Sequence, residues 1–308
     1  QLPQPTMKTS TRYIIGIIAA AAVAMTALSV YIICTAFVPG DYTISDANPV
    51  RIELQPFKRV DIRTVNPQLA HIRPYKFKGV VIEESDSVTV PELRTSLDWS
   101  RIITPEVKDS TLTLTFDFQV LSDTLNIPED TYFFIKCATE KPVKLLVPRR
   151  TVKEASTNQY NIYFDKFDGG TITADVFRAD TYAGDYGIYK YYDRYPGWLM
   201  VNEGRLDTII CTSPLEGLRL YKATVGEAHV PMSDIHFTVV SKQPGDSVRR
   251  LFVSPVDSIY KSGELDLQKA RIGTLYMPPR DSVNFTLNLS INRPIDIRSA
   301  SAGAETED

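Results

Sequence analysis

The chain reads as an all-β protein: a β-solenoid, or β-helix, ectodomain with a preceding strand block and one N-terminal transmembrane helix. Three observations predict this. Residues 217–230, GLRLYKATVGEAHV, recur as 264–277, ELDLQKARIGTLYM. Downstream, IHFTV from Ile235 matches VNFTL from Val283. Third, Tyr13 to Gly40 contains no charged residue. Internal repeats of this kind mark stacked architectures, in which each unit closes its core only against its neighbours.

The first element is the apolar segment, and residues 13–38 are expected to be a transmembrane anchor. About 25 apolar residues at ~1.5 Å each reach roughly 37 Å, enough to cross a bilayer core with tilt. Lys8 and Arg12 precede the segment and Asp41 follows it, which puts residues 1–12 in the cytoplasm. A cleaved signal peptide is the rival, although its apolar core is normally about 7–15 residues. Met7 fits an initiator, with Gln1–Thr6 as an upstream extension. Ile33 stands before Cys34 where a lipoprotein signal would carry a small residue, which argues against lipidation.

Residues 41–142 form the strand block. VRIEL and RVDIR come first, then YKFKGVVIEE and TLTLTFDFQV, whose alternation marks a half-buried strand. Between them PELRTSLDWSRI is expected to be a short helix on a Leu93, Leu97, Ile102 stripe. YFFIKC (132–137) and VKLLVP (143–148) are further strands.

The repeats occupy 143–297. Apolar residues fall in pairs: Leu218 and Leu220, Ala223 and Val225, Ala228 and Val230. The spacing of two within a pair is the inward period of a strand. The spacing of three between pairs shifts the inward face, as at a corner. Gly226 and Gly273 are expected at such corners in left-handed conformation, which glycine adopts at little cost. A weaker third copy lies at NIYFDKFDGGTITA (161–174). Copies about 50 residues apart correspond to about two turns of a coil. Residues 181–200 form a tyrosine-rich insertion, and 298–308 an acidic tail expected to be disordered.

The stretches PEVKDSTLTLTFDF (105–118), KPVKLLVPRRTVKEAS (141–156) and the repeats ending IGTLYM resemble the head GIN domain family of Bacteroidota-like bacteria, also labelled auto-transporter adhesins. The resemblance implies a strand block leading into a β-helix, and a place in the cell envelope. With the anchor, this means the cell inner membrane, single-pass, with a periplasmic ectodomain. Signal cleavage would instead give a secreted or surface protein.

Charge is balanced, with a formal net charge of −3, so nucleic acid is not an expected partner. Cofactor and metal are expected to be none. His71, His229 and His236 stand in no metal-ligand spacing. His229 and His236 correspond to Tyr276 and Asn284 in the second copy, which points to outward surface positions. No nucleophile elbow, phosphate loop or zincin motif occurs. DKFDGG (165–170) lacks the further oxygens of a calcium loop and reads as a turn. Cys137 and Cys211 read as buried free thiols, with a bridge left open.

Three surface features carry functional readings. Lys166, Lys222 and Lys269 recur at one corner, which suits solubility or contact with an anionic polymer. Tyr186, Tyr189, Tyr191, Tyr192, Tyr195 and Trp198 crowd the insertion, either packing on the coil or binding a sugar or protein partner. Asp followed by Ser or Thr and then Val, Ile, Leu or Thr occurs at Ser87, Ser110, Thr124, Thr208, Ser247, Ser258 and Ser282. The triplet suits a turn entering a strand. It is also similar to an O-glycosylation signal of Bacteroides-type bacteria. Asn284 and Asn288 fit the N-glycosylation pattern, relevant only in a glycosylating eukaryotic lumen.

The expected role is a membrane-anchored, non-catalytic module, structural or adhesin-like, for an envelope glycan or protein partner. The alternative is a polysaccharide-processing enzyme on the same scaffold, to be marked by carboxylates clustered with Arg or Lys in one exterior groove.

Overall fold

The computed structural model describes residues 9–36, 42–65, 72–75, 77–125, 133–178, 195–232, 236–255, 262–277 and 286–299. Helix α1 runs from Thr9 to Ala36 and exposes Ile17, Val23 and Met25. Over the described side chains alone, no helix is long and apolar enough to cross a membrane.

The strand block contains β1 (Thr43–Ile44), β2 (Pro49–Glu53), β3 (Arg59–Thr64), β4 (Ile72–Tyr75), β5 (Gly79–Glu84), β6 (Glu92–Ser96), α2 (Leu97–Ser100), β7 (Ile103–Lys108), β8 (Thr111–Phe116), α3 (Gln119–Leu125), β9 (Phe133–Cys137) and β10 (Lys144–Val147). The helix expected over PELRTSLDWSRI shrinks to the single turn of α2. Leu93 and Ile102 are buried, but Leu97 is exposed and Trp99 takes the inward place. Glu92–Ser96 is instead a strand, because it pairs on both sides with β2 and β10.

The repeat region follows with β11 (Glu154–Thr157), β12 (Asn161–Asp165), β13 (Thr171–Arg178), β14 (Tyr195–Pro196), β15 (Trp198–Asn202), β16 (Arg205–Cys211), β17 (Gly217–Tyr221), β18 (Thr224–Met232), β19 (His236–Ser241), β20 (Ser247–Pro255), β21 (Ser262–Lys269), β22 (Ile272–Met277), β23 (Thr286–Ser290) and β24 (Asp296–Ser299). The last strand therefore extends two residues into the expected tail.

Two large sheets face each other across one core. The first has the order β2-β6-β10-β5-β12-β15-β17-β19-β21-β23. The second runs β24-β22-β20-β18-β16-β13-β11-β3-β8-β7, with β14 beside β13. From β15 the chain steps from one sheet to the other and back, each strand lying parallel to its predecessor in the same sheet. The three repeat copies are β12–β13, β17–β18 and β21–β22, so they recur at every second strand. Register then stacks like on like. Ile172, Ile209, Ala228, Leu251 and Leu275 form one inward column, each at most 2% exposed. Such a column is a continuous hydrophobic seam that no single copy could bury alone.

The glycine expectation is corrected. Gly226 and Gly273 lie inside β18 and β22 and are not left-handed. The spacing of three between Val225 and Ala228 is a kink within one strand, where residues 226 and 227 both face away from the core. A Cβ on Gly226 would stand 2.5 Å from the Asp207 carbonyl oxygen, and one on Gly273 2.6 Å from that of Arg249. Close approach of neighbouring backbones, not turn geometry, is the reason for glycine here. The left-handed corners between sheets carry Lys166, Glu203 and Lys222, with φ of 59°, 51° and 50°.

Cys137 and Cys211 are free and buried. Burial pushes both thiols up to about 12.

Candidate functional site

Of the aromatic residues expected to bind, Tyr186, Tyr189, Tyr191 and Tyr192 lie outside the described residues. Tyr195 begins β14, paired with Arg178. Trp198 begins β15 on the outward face of the first sheet, where it packs on Val81, Tyr163 and Met200. Its backbone N–H donates to Asn161 Oδ1 at 3.1 Å. Two cations cover this apolar strip: Arg219 lies 4.9 Å from the Trp198 ring, and Lys141 Nζ 3.8 Å from the Tyr163 ring. Val81, Tyr163 and Met200 are nearly inaccessible, so the strip acts as a second small core.

The lysine column is also reshaped. Glu203 occupies the corner between Lys166 and Lys222, because Asn202 pairs with both Asp165 and Tyr221. Lys166 donates to Glu83 at 2.9 Å, and Lys222 lies 3.7 Å from Glu203. Carboxylates therefore accompany these lysines, and the corner alternates in sign. Such a neutralised strip has little pull on an anionic polymer. DKFDGG is a corner, with Asp168 bound by Arg149 and Asp165 by Asn202. Among the described residues no group of three or more His, Cys, Asp or Glu could hold a metal.

The second sheet carries what the sequence concealed. A groove of about 460 Å³ opens on its outward face, lined by Arg205, Asp207, Thr208, Gly226, Ser247 and Arg249 among others. Gly226 and Glu227, consecutive in β18, both line it. Arg205 donates to Asp207 at 2.7 Å, and the Gly170 N–H donates to the same carboxylate. The Gly170 amide and the Arg205 guanidinium hold Asp207 below the ordinary carboxylate value. Glu227, also on the groove, pairs with Arg250 and His229. Arg249 is exposed and meets no carboxylate among the described residues. Beside the groove His229, Phe252 and Tyr276 stack in a column, centroids 4.4 Å apart at each step. The outward position expected for His229 is thus observed. Its ring face is spent on Phe252, which marks the column as packing. Only residues from three successive strands together make the groove, so no local motif could announce it.

The Asp-Ser/Thr residues divide by setting. Ser87, Ser110 and Thr124 are exposed. Thr208 and Ser247 lie half-buried in strands and line the groove. Ser258 and Ser282 lie outside the described residues, as do His71 and Asn284. Asp246 is fully buried and accepts the N–H groups of Ala223, Lys242 and Gln243.

No family model matches the chain, and no curated protein does. Among solved structures it is similar to a "putative lipid binding protein" of Parabacteroides distasonis, at 13% identity and TM-score 0.34, over 84% of this chain and 100% of that one. It is also similar to a "putative adhesin" of the same organism, at 11% identity and TM-score 0.31, over 84% and 100%. A "putative adhesin" of Parabacteroides merdae matches at 12% identity and TM-score 0.29, over 85% and 97%.

Proposed function

We propose that this chain is a membrane-anchored, extracytoplasmic β-solenoid whose role is to bind a glycan on its outer wall without transforming it. The observation that carries the reading is the groove across β16, β18 and β20. Three hydroxyls, of Thr208, Thr224 and Ser247, line it together with the Arg205–Asp207 pair and Arg249, which meets no carboxylate among the described residues. A hydroxyl-rich ligand is oriented by donors and acceptors placed in a concave surface, which these hydroxyls and the arginine guanidinium groups supply. The 28-residue α1 supports the anchor: at about 1.5 Å per residue it is longer than a bilayer core of about 30 Å. Its exposed aliphatic side chains need a cover that water does not supply.

The enzyme reading acquires a supporting observation, since Asp207 and Glu227 share this exterior groove with Arg205 and Arg249. Against it stands the engagement of both carboxylates. A general acid needs a raised pKa, whereas that of Asp207 is lowered.

The test is equilibrium binding of the full chain to purified envelope polysaccharides, beside Arg249→Ala and Thr208→Val. Saturable binding weakened at least about tenfold by either variant is the expected result, with product analysis of the same mixtures showing no cleavage. Binding indifferent to both variants would move the site off the groove. Cleavage abolished by Asp207→Asn or Glu227→Gln would make the protein an enzyme.

A further inference from the structure

The two ends of the stack are finished differently. At the N-terminal end the outermost strands, β2 and β7, run antiparallel to their neighbours. They carry Pro49, Arg51 and Glu53, and Pro105, Glu106 and Lys108, a mixture of proline and charge that blunts a sheet edge. At the C-terminal end the outermost strands stay parallel to their neighbours; β23 carries neither proline nor charge, and β24 carries Asp296 and Arg298. β23 and β24 are the last strands of the two sheets and, among the described residues, pair with β21 and β22 alone. The inward column Ile209, Ala228, Leu251 and Leu275 is 0% exposed throughout, and the next residue in register, Ile297, is 48% exposed. Ile291, between the two last strands, is 41% exposed. Among the described residues nothing covers this end of the core, in an architecture where terminal units ordinarily need a polar cap.

We propose that this end docks against the same end of a second copy, the two β24 strands pairing antiparallel about Ile297. The edge is self-complementary in that register. A twofold axis at Ile297 sets Asp296 opposite the partner's Arg298, and Arg298 opposite the partner's Asp296. Both charged residues already lie on the outward face, where Arg298 Nε donates to Asp296 Oδ2 at 2.8 Å within the strand. Exchange to the other copy keeps each charge paired while the two Ile297 side chains cover each other. Backbone N–H and C=O groups on the outer edge of β24, which have no ladder partner among the described residues, gain partners in the same step. Because the opposite end is blunted, association stops at a closed pair with an isologous interface and does not propagate into a fibre.

The experiment is sedimentation velocity of the full chain in a non-ionic detergent, across a hundredfold range of concentration. Circular dichroism checks the fold of each variant. The wild type is expected to shift from monomer to dimer as concentration rises. Asp296→Arg and Ile297→Lys should each weaken the dimer by about tenfold or more, since like charges then face each other or the apolar cover is lost. The double exchange Asp296→Arg with Arg298→Asp should restore it, because the swapped pair is again complementary. A wild type that stays monomeric overturns the proposal. So does a dimer indifferent to both single variants, which would assign association to α1, or a double exchange that fails to rescue. A chain that dimerises only after removal of residues 300–308 would show that its own tail occupies the end, and would also overturn it.

Discussion

Gly217 lies beneath the indole of Trp198, so close that a Cβ added there would stand 2.3 Å from a ring carbon. The two residues are partners in the parallel ladder of β15 and β17. The ring thus lies flat along the outward face of the first sheet, with Arg219 over it. Gly217→Ala is expected to lift the indole and cost about 1–3 kcal/mol, the usual range for overpacking. The chain has two tryptophans, and Trp99 is fully buried, so a red shift in emission would report Trp198 leaving its site. Unchanged fluorescence and stability would show that the ring rests elsewhere.

Asp246 brackets a corner rather than a site. Its carboxylate, fully buried, accepts three backbone N–H groups at 2.6–2.9 Å. Asp246→Ala leaves three buried amides without an acceptor and is expected to cost about 3 kcal/mol or more. Asp246→Asn, which keeps one acceptor oxygen, should lose less. Urea unfolding midpoints decide this, and an alanine variant as stable as the parent would mean that water replaces the carboxylate.

How far the sequence could be read follows from which signals are local. Leu218, Leu220 and Val225 announce their inward faces by spacing alone, and the ladders place them there. The spacing of three from Val225 to Ala228 looks the same for a corner and for a kink within a strand, so periodicity could not separate them. Left-handed Lys166, Glu203 and Lys222 were illegible because composition rules place glycine or asparagine at such positions. Neighbouring carbonyl contacts fix them instead: Lys166 N–H bonds to the Asn202 carbonyl oxygen and Glu203 N–H to that of Tyr221. The groove was illegible for a different reason. Arg205, Gly226 and Arg249 are about twenty residues apart in the chain, and only the register of β16, β18 and β20 joins them.

The β7–β8 hairpin turns on two residues, Asp109 and Ser110, with φ of 49° and 61°. Successive positive φ values fit the tight turn that suits strand twist, where glycine is preferred at the second position. Ser110→Gly should relieve the left-handed serine and stabilise the chain by about 1 kcal/mol. Thermal unfolding tests it, and a loss of stability would show that the serine side chain contributes a bond worth more than the strain.

If the Asp-Ser/Thr triplets are modified, access should order them. Ser87, Ser110 and Thr124 are exposed, whereas Thr208 and Ser247 lie half-buried in paired strands. An O-linked sugar is expected on the exposed three in material from the native cell, and at lower occupancy on the other two. Peptide mass analysis reads this out. All five peptides at unmodified mass would leave the triplets as turn chemistry alone.

Two carboxylates on the outward face of the first sheet should respond to pH in opposite senses. For Asp165, burial is the largest influence and lifts its pKa above the ordinary 3.8, while the Asn202 hydrogen bond and Lys141 only partly offset it. A carboxyl with a raised folded pKa binds its proton more tightly when folded. Its ionisation therefore costs stability at neutral pH, and the cost disappears as pH falls below the unfolded value. Asp165→Asn should stabilise at pH 7, with the gain fading in acid. For Glu83, burial also opposes ionisation, but hydrogen bonds and charge from Lys144 and Lys166 outweigh it and lower the pKa below 4.5. Its stabilising contribution is present above the unfolded pKa and is lost as pH falls through the folded one. Glu83→Gln should therefore destabilise at pH 7, with the loss fading in acid. Urea midpoints from pH 7 down to about pH 3 compare the two slopes. A destabilised Asp165→Asn at neutral pH would show that Lys141 holds the ionised carboxylate more firmly than burial repels it.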